Sequence, residues 1–136
     1  MNSYEFMATK NFNSKVDNTF TRGASSIVAP NVETANQLLN FARFQFDLAE
    51  LYARKFRKKL FEEKGAFSKG NFYSPFYDSL SCAFNVEVDR AGNETELGKN
   101  HEKLSALHAQ TLLDLRSMAD FCKECTPPRK RSRASK

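Results

Sequence analysis

The sequence predicts a mainly α protein. Two long amphipathic helices pack antiparallel, joined by an aromatic-rich segment with a short strand. An irregular N-terminal arm precedes them and a disordered basic C-terminal tail follows. Three observations carry this reading. Apolar residues recur at an unbroken three-four spacing from Leu39 to Leu60, the period of one helix face. A second amphipathic stripe runs over roughly residues 94–124. The net charge of +5 resides wholly in the last ten residues. At 136 residues the chain is one domain, and 40% hydrophobic content with 13 Phe is enough for a packed core.

Residues 1–30 are rich in Asn, Ser and Thr and lack a period. They are expected to form an irregular arm that docks through Phe12, Phe20 and Ile27. The domain proper is expected over 31–125. Asn31, following Pro30, is a good N-cap, and Glu33 lies in the first turn, where a carboxylate suits the helix dipole. The first helix then extends over about 32–64, with Leu39, Ala42, Phe46, Ala49, Ala53, Phe56 and Leu60 on one stripe. Gly65 provides its stop. A second strip, Phe41, Phe44, Leu48 and Leu51, lies beside the first. The combined apolar arc is too wide for one neighbour. The second strip is therefore assigned as a self-association or partner face, and the chain is expected to be at least a dimer.

Residues 66–77 read as an aromatic loop. Leu80, Cys82, Phe84, Val86 and Val88 alternate with Ser81, Ala83, Asn85 and Glu87, which reads as a strand over 79–88. A helix over 76–88 is the competing assignment. The second long helix covers about 94–124, with Gly98 weakening its start and Pro127 and Pro128 beyond its end. Its apolar face holds Leu97, Leu104, Leu107, Leu112, Leu115, Met118, Ala119 and Cys122.

The basic tail spans 126–136. It holds Arg129, Lys130, Arg131, Arg133 and Lys136 and no acid. The chain has 21 basic and 16 acidic residues, so without those five cations it holds 16 of each sign. Pro128 to Arg133 is similar to a single-cluster nuclear localisation signal, a flexible strand of cations suited to an acidic groove or to phosphates. These five residues are the candidate contacts to nucleic acid or an import receptor. Thr126, followed by Pro127, Pro128 and Arg129, is a candidate proline-directed phosphorylation site.

On the first helix, Arg54 and Lys58 are candidates for a secondary phosphate contact. A solvated helix end braced by Glu50, Glu62 and Glu63 is the plainer account. Cys122, Cys125, Cys82, His101 and His108 do not form a recognised zinc spacing, because one CxxC at a helix end is not a knuckle. No metal or cofactor is expected. Three cysteines at ordinary density read as reduced thiols in a cytosol or nucleus. No apolar run has transmembrane or signal-peptide length, so the chain is expected to stay where it is made. There is no glycine-rich phosphate loop, nucleophile elbow or HExxH motif, so no catalytic residues are assigned.

The run Asn31-Val32-Glu33-Thr34-Ala35 with the Phe/Leu/Ala helix resembles phasins, the helical coat proteins of storage granules, over that one helix. The strand-like section and polar arm depart from that pattern. The sequence thus points to a non-enzymatic accessory protein, nucleic-acid-associated or nuclear and of viral type. Its helical body would self-associate and its tail would act as address or phosphate contact. The expected location is the nucleus in a eukaryotic host and otherwise the cytoplasm. The alternative is an amphipathic scaffold protein coating a granule, a membrane face or a larger assembly.

Overall fold

The computed structural model describes residue 18, residues 27–63 and residues 73–125. The expected tail lies outside the described residues, as does nearly all of the expected arm. The described chain is mainly helical, with α1 over Val32–Glu63, α2 over Ser74–Thr95, α3 over His101–Ser117 and a 3-10 turn over Ala119–Phe121.

Helix α1 starts as its sequence dictates. The Asn31 Oδ1 accepts a 2.8 Å hydrogen bond from the Thr34 backbone N–H, satisfying one of the open donors of the first turn.

The segment expected as a strand is helical, and α2 begins with Pro75 in its first positions. The physical reason lies in the pattern itself. Of the five alternating apolar residues, Leu80, Phe84 and Val88 repeat every four, so they also share one helix face. These three are half-buried, whereas Cys82 and Val86 point outward. Ala91, Gly92 and Thr95 continue the inward face. Arg90 adds support by pairing with Glu87 at 2.8 Å and Glu94 at 2.9 Å, one turn to either side. Hydrogen bonds to Glu87 and then Glu94 push the Arg90 pKa further up.

The second long helix does not start at residue 94. Residues 94 and 95 finish α2, and Glu96, Leu97 and Gly98 all adopt positive φ, which reverses the chain. Thr95 is fully buried under this turn. Its hydroxyl donates to the Ala91 carbonyl at 2.7 Å and accepts the Gly98 N–H at 3.3 Å. Gly98 has φ +95°, and a Cβ there would lie 2.3 Å from the Gln37 carbonyl oxygen of α1. Asn100 then caps α3 by accepting from the Lys103 N–H at 3.2 Å.

Because α2 is a helix, it carries the chain back along α1, and α3 returns. Tyr52 meets Phe84 and Phe56 meets Tyr77, so α1 and α2 are antiparallel. Asp47 bonds His108 and Arg54 bonds the Leu115 carbonyl, both across 61 residues, so α1 and α3 are parallel. The antiparallel packing expected of the two helices near 32–64 and 94–124 is thus corrected: α1 and α3 run parallel. The error follows directly from reading the connection as a strand.

The core consists of Phe41, Phe44, Leu48, Leu51, Ala91, Leu104 and Leu115, with Tyr52, Phe84, Val88, Leu107 and Met118 packed against it. The strip assigned to a partner, Phe41, Phe44, Leu48 and Leu51, is therefore covered by α2 and α3 of the same chain. The neighbouring stripe is less enclosed, with Leu39 and Phe46 exposed. Burying each large side chain of the core, such as Phe44 or Leu51, is worth about 1.5–3 kcal/mol.

Candidate functional site

The parallel pairing of α1 and α3 creates a polar seam along one side of the bundle. Residues 40, 43, 47, 50, 54 and 57 repeat at three-four spacing, so they form one row on α1. Residues 101, 105 and 108 form the facing row on α3. The seam lies beside the apolar core.

At one end the seam is tied together. Arg57 is only 1% exposed. Its Nη1 donates to Glu50 Oε1 at 2.8 Å and to the Phe121 carbonyl at 3.0 Å. Arg54 donates from Nε to the same Glu50 oxygen at 3.2 Å and from Nη1 to the Leu115 carbonyl at 2.7 Å. The Leu115 carbonyl belongs to the last turn of α3, where open acceptors attract a cation. One carboxylate and two backbone carbonyls thus hold two guanidinium groups, and these contacts dock the end of α3 and the 3-10 turn onto α1.

In the middle, His108 Nε2 and Asp47 Oδ2 are 2.6 Å apart. The imidazole also meets the Phe44 ring edge-on at 6.0 Å between centroids. This contact joins the polar seam to the core.

Beyond this pair the seam opens into a cavity of about 250 Å³, lined by Asn40, Arg43, His101, Leu104, Ser105 and His108. Leu104 is buried, and Arg43, His101 and Ser105 are exposed. Among the described residues, the side chains of Asn40, Arg43, His101 and Ser105 make no hydrogen bond or ion pair.

The residues assigned from sequence fall out as follows. Thr126, Arg129, Lys130, Arg131, Arg133 and Lys136 lie outside the described residues. Arg54 and Lys58 stand one turn apart, but their head groups are engaged separately. Arg54 turns inward, and Lys58 lies 3.9 Å from Glu62 at the exposed surface. Lys59 pairs with Glu63 at 3.3 Å, and Lys55 lies over the Tyr52 ring at 4.3 Å. Burial raises the Tyr52 pKa, the Glu87 charge adds to the rise and Arg90 opposes it.

Cys122 and Cys125 are joined as a disulfide, with their Cα atoms 5.0 Å apart. This corrects the expectation of reduced thiols at those two positions, while Cys82 is a free, exposed thiol on α2. The pair closes the turn after Phe121, whose carbonyl receives Arg57. Among the described residues, no three His, Cys, Asp or Glu side chains are placed to hold a metal ion. No described helix is long and apolar enough to cross a membrane.

Sequence reasoning missed the Glu50–Arg57 and Asp47–His108 contacts. Their signal is present only as two rows of polar residues at helical spacing. The rows can be matched only once α2 is known to be a helix. No family model, curated protein sequence or solved structure matches this chain.

Proposed function

We propose that the protein is a non-enzymatic accessory protein whose compact helical body carries a cationic tail to a nucleic acid or an import receptor. The observation that carries this reading is the contrast in how the cations are used. Arg54, Arg57, Lys58, Lys59 and Arg90 of the body are paired with carboxylates of the body. Arg129, Lys130, Arg131, Arg133 and Lys136 share ten residues with no acid at all. Residues 1–126 hold 16 basic and 16 acidic residues, so they contribute little net long-range attraction and the tail supplies the electrostatic contact.

Thr126 adjoins the tail and provides a control point. A phosphate there adds about two negative charges beside five positive ones and weakens binding to any polyanion.

The coating alternative draws less support. It needs the Phe-rich helix to turn its apolar face outward, and Phe41, Phe44, Leu48 and Leu51 are buried within the bundle.

The experiment is deletion of residues 127–136. The full chain should bind duplex DNA with a log–log salt slope of up to about −4 to −5, at about −0.9 per phosphate contact. The deletion should flatten that slope toward zero and abolish nuclear accumulation of a fluorescent fusion, while the far-UV circular dichroism stays helical. Unchanged binding and unchanged location in the deletion would refute the proposal.

A further inference from the structure

We propose that the open end of the α1–α3 seam is a binding site for a small oxyanion of the phosphate class. This site is separate from the tail, and the proposal does not rest on the tail reading.

The open end of the seam carries unmet hydrogen-bonding capacity. Asn40, Arg43, His101 and Ser105 surround one cavity of about 250 Å³ and have no side-chain partner among the described residues. Each of them can donate: an amide NH2, a guanidinium, an imidazole N–H and a hydroxyl. They converge from two helices, so a guest would be held from opposite sides and not from one surface.

The sign of the site follows from its charged groups. Arg43 contributes a full positive charge. The carboxylate in the same row, Asp47, is not a lining residue and is hydrogen-bonded to His108 at 2.6 Å. Among the described residues, no acid lines the cavity. Lower down the seam, Glu50 plays the complementary part by accepting from Arg54 and Arg57. The open end therefore has the donors of that arrangement without the acceptor, and a free oxyanion would supply it. The planar guanidinium of Arg43 matches two oxygens of such a group. An oxyanion with three or more acceptor oxygens uses the remaining donors better than a carboxylate with two. Buried Leu104 forms an apolar wall of the cavity.

Two sources could present this chemistry, a free phosphate and the backbone phosphate of a nucleic acid. The test separates them. Imidazole C–H signals of His101 and His108 in the full chain are followed by NMR during parallel titrations with orthophosphate and with a short single-stranded oligonucleotide. Sodium chloride at matched ionic strength is the control. The site predicts saturable shifts at His101 that chloride does not reproduce. Arg43→Gln, at an exposed position without side-chain bonds, should weaken the interaction about tenfold or more with unchanged circular dichroism. Arg116→Gln, an exposed cation of α3 that does not line the cavity, should leave it unchanged. Arg43-dependent saturation with orthophosphate identifies a free phosphate ligand. The same behaviour with the oligonucleotide alone identifies a backbone phosphate. Shifts that do not saturate, match chloride or persist in Arg43→Gln with both titrants overturn the proposal.

Discussion

Arg57 shows how a single buried charge can organise this protein. It is nearly solvent-free, and its guanidinium bonds Glu50 and the carbonyl of Phe121. Truncating it leaves Glu50 with less compensation and releases the 3-10 turn at Phe121. Arg57→Ala should cost about 3 kcal/mol, read from the urea midpoint. Arg57→Met should cost less, because it keeps the packed stem and leaves no cavity, although Glu50 loses the same partner. A loss below about 1 kcal/mol for the alanine variant would show that this contact does not hold the turn. Gly98 makes the opposite case, where the absence of a side chain matters. At φ +95°, with the Gln37 carbonyl 2.3 Å from where a Cβ would sit, Gly98→Ala should cost roughly 2 kcal/mol or more. The strain cannot be relieved by a rotamer change, because the obstructing atom belongs to backbone. Thermal unfolding of the purified variant checks this.

At the scale of elements, the decisive one is α2. Its apolar residues satisfy a period of two over five positions, and the subset Leu80, Phe84 and Val88 satisfies a period of four. A short window cannot separate the two readings. The ion pairs of Arg90 with Glu87 and Glu94 favour the helix, since three and four residues are neighbouring distances only there. By contrast α1 was legible from sequence because its pattern is long and carries its own cap at Asn31. The break at 96–100 was only half legible. Gly98 marked it, but positive φ at Glu96 and Leu97 is imposed by the packing of Thr95 and by the approach of α1. Reading α2 correctly reverses the direction of α3, and this can be measured. Spin labels at exposed positions 36 and 102 should lie close together in a Cys82→Ser background that retains the disulfide. Labels at 36 and 116 should be about 20 Å farther apart, at 1.5 Å per helical residue. An antiparallel pair would reverse that order.

At the scale of the whole molecule, the separation of a charge-matched body from a cationic tail is a property of composition, so it was visible in the sequence. The way the body matches its charges was not. Glu50 serves Arg54 and Arg57 together, and Asp47 meets His108 across 61 residues, which depends on helix order and register. The apolar width of α1 had implied a second copy of the chain. The strip of that width assigned to the second copy is met internally by α2 and α3, which cover Phe41, Phe44, Leu48 and Leu51, while Leu39 and Phe46 of the other strip stay exposed. Sedimentation velocity at micromolar concentration should therefore give a species of 15.5 kDa. A stable dimer would place a second copy on what remains exposed, such as Leu112 and Leu113 on α3.

An up-down-up bundle also has a mechanical character. Three passes put Val32 at one pole, beside the turn near Gly98, and Cys125 at the other, beyond Phe61 and Phe121. A pull between those two points runs along the helices. It would shear the Asp47–His108, Arg54–Leu115 and Arg57–Phe121 contacts all at once. A two-helix hairpin, with both ends at one pole, would unzip under the same pull one contact at a time. The body thus resists a pull along its length through several contacts loaded together.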